Sequence, residues 1–81
     1  MISQFLNRIV VDPDKFDGQP HVRGTHFTVS AILYFLAAGM TIEDVLNDYP
    51  PLHEADIRGA LIFSAILLDN KTTTADHSPL L

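Results

Sequence analysis

The sequence predicts a mainly α fold: a tri-helical helix-turn-helix domain with a short N-terminal β-hairpin or arm. Two observations predict it. A start-of-helix signal recurs three times in about thirty residues, and the last two of these helices have helix-turn-helix spacing. At Phe27-Thr28, Met40-Thr41 and Leu52-His53 a large apolar residue precedes a polar one, and five positions after each apolar residue comes another: Ile32, Val45 and Ile57. That is the spacing of a hydrophobic staple, in which the residue before the cap packs on the fourth helical residue and sets the angle of chain entry. Asp44 and Asp56 add an acid at the third helical position, where a carboxylate satisfies free N–H groups and opposes the helix dipole.

Each element follows in order. Arg8-Ile9-Val10-Val11-Asp12 is β-branched and ends at Pro13, which reads as a short strand. Asp17-Gly18 is a turn signal, Gln19 before Pro20 is extended, and His21-Val22-Arg23 is a second strand closed by Gly24. Two strands alone are not stable in water, so they must pack on the helices or on another subunit. The first helix spans about Val29 to Ala38, capped by Thr28, with Ile32, Leu33 and Leu36 inward and Gly39 at the left-handed stop. The second spans Ile42 to Asp48, with Ile42, Val45, Leu46 and the following Tyr49 facing the core, and Pro50-Pro51 ends it. The third spans Glu54 to Leu68, entered through His53, a poor cap beside Ser, Thr or Asp. The chain thus divides into an arm (1–7), a folded domain (8–68) and a polar, disordered tail (69–81).

Composition bounds the function. The 81 residues are 47% apolar and 19% charged, a globular balance in a domain so small that it buries only about 60% of its unfolded surface. The absence of cysteine excludes disulfides and thiolate metal sites. The first residues lack the charged start and apolar run of a signal peptide, and the longest apolar run, near 60–68, is too short to span a bilayer. A cytoplasmic protein with no membrane partner is expected. The net charge of −5, with five Lys and Arg, is unlike an autonomous nucleic-acid binder, whose basic face supplies most of its non-specific affinity.

The third helix carries more apolar surface than a tri-helical core can use. Ile57, Ala60, Leu61, Ala65 and Leu68 form one stripe, expected to face the core. Ile62, Phe63, Ile66 and Leu67 form another, largely on a different side. A helix apolar most of the way round is buried most of the way round, so this second stripe is the candidate partner-binding surface, of a homodimer or of another protein. The alternative is that Phe5, Leu6 and Ile9 fold over it.

The remaining candidates for chemistry are weak. His21 and His26 share a loop, His53 opens a helix and His77 lies in the tail, without metal-ligand spacing. Asp12, Asp14 and Asp17 lack a nucleophile or cationic partner and read as solvated turn residues. Ser30 and Ser64 have no His-Asp grouping nearby, and Gly18 and Gly24 form no phosphate loop. No cofactor is expected, and nothing supports an enzyme. If the third helix enters a major groove, its first residues, Glu54, Ala55, Asp56 and Arg58, face the bases. Arg58 is then the guanine contact, with Arg8, Arg23 and Lys15 on phosphates.

Four segments, Arg8 to Pro13, Gly18 to Thr25, Leu36 to Pro50 and Asp56 to Leu61, resemble in content and order the domain of unknown function 433 family. The resemblance implies a small bacterial helix-turn-helix protein of the homeodomain-like class, antitoxin-like, whose partner is a PIN-like ribonuclease toxin. The protein's own promoter DNA is the further ligand expected with that partner. Three positions depart from that pattern. Gly24-Thr25-His26-Phe27-Thr28 stands where the family has Gly-Thr-Arg, an aliphatic residue and proline, which removes a cation from the basic region. His53 replaces a better cap. Gly59 replaces alanine at about 1 kcal/mol of helix propensity, unless a close contact requires it. The expectation is an antitoxin-like homodimer; its rivals are a stand-alone transcriptional regulator and a protein-interaction module that binds no nucleic acid.

Overall fold

The structure is a computed structural model that describes residues 2–71. In order it contains helix α1 (Ile2–Leu6), strand β1 (Ile9–Val10), strand β2 (His21–Val22), and helices α2 (Val29–Ala37), α3 (Ile42–Asp48) and α4 (Glu54–Lys71). The fold is mainly helical with a two-stranded antiparallel sheet near the N-terminus, as the sequence predicts. Ile9 pairs with Val22 and Val10 with His21. The strands are shorter than expected: the chain turns directly after β2, with Thr25 N–H donating to the Val22 carbonyl at 3.0 Å, and β2 is also held on its other side. Val22 N–H donates to the Phe27 carbonyl at 2.9 Å, and His21 bridges to Thr28. This tight loop delivers the chain directly into α2.

The helix starts form as read. Thr28 Oγ1 accepts the Ala31 N–H at 3.1 Å. Thr41 and Asp44 make a reciprocal capping box, with Thr41 Oγ1 accepting from Asp44 N–H and Asp44 Oδ2 from Thr41 N–H. The three staple residues Ile32, Val45 and Ile57 are all fully buried, and Leu52 and Ala60 join them in the core with Ile9, Val22 and Val29. Gly39 adopts a left-handed φ of 104° after α2. Tyr49 stacks on Phe35 at 4.5 Å and meets Phe27 edge-on at 5.3 Å, which closes the corner between α2 and α3.

Three features differ from expectation. The arm is helical: Ile2, Phe5 and Leu6 lie at i, i+3, i+4 in α1, where Phe5 and Leu6 are half-buried beside α4. The helix read as ending at Leu68 continues to Lys71, because Asp69 and Asn70 contain no breaker, and a polar face suffices once the preceding turns are fixed. The rest of the tail, 72–81 with His77, lies outside the described residues. The third difference is the orientation of α4. Ile57 and Ala60 face the core, but Leu61, Ala65 and Leu68 of the same expected stripe are exposed, and Phe63 packs against the core instead. The inward direction runs through Asp56, Gly59, Ala60 and Phe63, about a third of a turn from the direction the apolar count favours.

Gly59 explains that rotation. A Cβ on Gly59 would stand 2.5 Å from the Phe5 carbonyl oxygen and 3.3 Å from the Phe5 carbonyl carbon. Only glycine lets α1 lie this close to α4. The turn before β2 is strained in another way: Phe16, Asp17 and Gly18 are consecutive left-handed residues, with φ of 52°, 57° and 78°. For the first two this costs about 1–2 kcal/mol each. The Phe16 ring is held edge-on against the buried His21 at 4.8 Å.

Candidate partner and nucleic-acid surfaces

α3 and α4 are joined by Tyr49 to His53, and the entry to α4 is built around one buried carboxylate. Asp56 is 1% exposed and uses both oxygens. Oδ2 accepts the His53 backbone N–H at 2.8 Å, the acid half of a capping box whose other half His53 does not provide. Oδ1 accepts from Arg8 Nε at 2.7 Å, so a residue just before β1 is tied to the first turn of α4. Asp56 therefore points inward and cannot read a base, contrary to its expected place on the recognition face.

The candidate DNA-contacting cations occupy three places. Arg58 is exposed on α4, and its Nε and Nη2 donate to Glu54 Oε2 at 3.1 and 2.9 Å. Arg23 is exposed after β2, with Nε and Nη2 donating to the Asn7 carbonyl at 3.2 and 2.8 Å, which caps the end of α1. Arg8 and Arg23 flank one open polar cleft with Asn7. Lys15 sits exposed in the turn before Phe16. The fold thus brings Arg8 and Arg23 together and leaves Arg58 and Lys15 apart from that cleft. Arg8 faces a carboxylate, so it adds little net positive charge there.

The candidate partner-binding residues divide in the same way. Phe63, Ile66 and Leu67 line an apolar groove whose other wall is Leu6 and Ile9. The leading segment therefore covers part of this stripe, yet Ile66 and Leu67 remain 42% and 46% exposed. Ile62 lies outside the groove, half-buried on the next face of α4. Phe63 and Leu67 also border a second apolar groove against Val29 and Leu33 of α2. Leu6 and Ile9 are the groove residues that sequence reasoning did not assign to a site; for Leu6 the signal was the i, i+3, i+4 pattern of Ile2, Phe5 and Leu6. Among the described residues no cluster of His, Cys, Asp or Glu could hold a metal, and no helix is long and apolar enough to cross a membrane.

No curated protein and no solved structure matches the chain. The family described as protein of unknown function (DUF433) matches residues 9–64, from β1 into the second half of α4. The chain belongs to the DUF433 family.

Proposed function

We propose that this protein is an antitoxin-like helix-turn-helix protein that self-associates, binds a PIN-like ribonuclease toxin, and contacts its own promoter DNA as part of that complex. The observation that carries the reading is the apolar surface left open on α4 from Leu61 onward. Leu61, Ile66, Leu67 and Leu68 are 42–62% exposed in a chain of 81 residues. Exposed patches of this kind on small proteins mark interaction sites. The groove of Leu6, Ile9, Phe63, Ile66 and Leu67 is the toxin-binding surface in this reading, and its mixed walls suit an apolar helix laid between α1 and α4. Promoter contact falls to Arg58 and Arg23, with a basic toxin supplying the phosphate affinity that a net charge of −5 denies the isolated chain. The protein works in the cytoplasm, without catalysis or cofactor.

Co-expression with the product of the adjacent reading frame tests this. The expected result is a stable co-purifying complex and relief of the partner's growth arrest, both lost in Ile66→Glu. Absence of complex and of relief would overturn the proposal. The rival reading, a stand-alone regulator, requires specific promoter binding by the purified chain and loss of discrimination in Arg58→Ala.

A further inference from the structure

We propose that α4 pairs antiparallel with α4 of a second copy along the face formed by Leu61, Ala65 and Leu68. The inference rests on the self-association in the reading above and assigns its geometry. Glu54, Arg58, Leu61, Ala65 and Leu68 are spaced 4-3-4-3 and all exposed, opposite the Asp56–Phe63 direction that faces the core. That spacing is a heptad seam, the repeat that lets two helices keep one face in contact. The helix therefore has an intramolecular face and a separate face with coiled-coil periodicity.

Charge selects both the partner and the direction. A parallel, in-register pair would place Glu54 on Glu54 and Arg58 on Arg58. An antiparallel pair centred at position 63 places Leu61 on Ala65 of the second copy, large against small, and Arg58 beside Leu68 and Asp69. A two-fold interface must be self-complementary in this way, each residue meeting a partner that meets it in return. Shifting the register by a heptad toward the start of α4 would set Leu61 on Arg58 and Ala65 on Glu54, and both apolar contacts would be lost. Ile62, half-buried at the edge of the seam, meets its own copy across the axis. In this pair Arg58 is held in the interface, so promoter contact by the paired form falls to Arg23, and Arg58 joins it only in a copy that is not paired. The toxin groove between α1 and α4 stays open.

The chain has no cysteine, so introduced thiols report the pairing without background. In the antiparallel pair positions 58 and 68 face each other, while each lies about 15 Å along the axis from its own copy. Arg58→Cys mixed with Leu68→Cys should give an oxidised covalent dimer, and neither variant alone should. Linkage of each variant to itself, or no linkage in the mixture, overturns the proposal. Sedimentation equilibrium supplies the second readout: Leu61→Glu should weaken association at least tenfold with an unchanged circular dichroism spectrum. Association unaffected by Leu61→Glu overturns this pairing while leaving self-association standing. A monomer at every concentration overturns both. The toxin co-expression result is independent of either outcome.

Discussion

Replacing Gly59 by alanine sets two known effects against each other, and the structure decides the sign. In an exposed helix interior the change stabilises by about 1 kcal/mol. Here the new Cβ would lie 2.5 Å from the Phe5 carbonyl oxygen, where a relaxed carbon–oxygen approach needs about 3.3 Å. The obstacle is backbone, so α1 must retreat by most of an ångström or leave its seat. Overpacking of this kind costs about 1–3 kcal/mol. The ceiling is complete undocking of α1, which exposes the half-buried Phe5 and Leu6; at half of the 1.5–3 kcal/mol for full burial, the two together come to about 1.5–3 kcal/mol. After the propensity gain, Gly59→Ala should destabilise the full chain by up to about 2 kcal/mol, lowering Tm by about 4–8 °C for each kcal/mol. Urea unfolding of the variant measures this directly. The control is the same substitution in a chain lacking residues 1–6, where the obstacle is gone and alanine should stabilise by about 1 kcal/mol. A Gly59→Ala chain that is more stable at full length would refute the seating of α1 on α4.

Other outcomes follow from the joints. Arg8→Ala leaves the Asp56 carboxylate buried without its cation and should cost about 3 kcal/mol in urea unfolding, whereas Arg8→Ala combined with Asp56→Asn should recover part of that loss. Thr41→Ala removes the exposed capping box at α3 and should cost about 1 kcal/mol, read from the same unfolding midpoint. Within one chain Arg58→Ala breaks only a solvent-exposed pair with Glu54 and should change the stability of the fold by less than about 0.5 kcal/mol, so a loss of promoter binding in that variant does not come from unfolding.

The joints were legible in the sequence because each is a local device. Staple spacing and the acid at the third helical position act over four or five residues, and Ile32, Val45, Ile57, Asp44 and Asp56 all do what their positions imply. The rotation of α4 was not legible, because it depends on a contact between Gly59 and Phe5, more than fifty residues apart. Counting apolar residues assigns Leu61, Ala65 and Leu68 to the core, where a glycine opposite a carbonyl oxygen outweighs them. The pairing of Arg8 with Asp56 was hidden for the same reason: sequence reading saw a cation for phosphate and an acid for a cap, with no means of joining them. The left-handed Phe16 is a further case, since a bulky side chain gives no sign that its backbone will adopt a conformation suited to glycine.

The placement of the cations bears on nucleic-acid binding through a measurable slope. Of the five Lys and Arg, Arg8 is matched by Asp56, and Lys71 ends α4, about 20 Å along the axis from Arg58. Arg58, Arg23 and Lys15 are left as phosphate contacts near the start of α4 and the strands. Each neutralised phosphate contributes about −0.9 to the slope of log K against log salt, so one chain should give a slope no steeper than about −3. A promoter titration of the purified chain at several salt concentrations measures it, with the value taken per bound copy. A steeper slope would mean that Arg8 abandons Asp56 for DNA, and Arg8→Ala would then weaken binding uniformly across sequences. A slope within the limit that steepens when the co-expressed partner joins would place the missing positive charge on that partner.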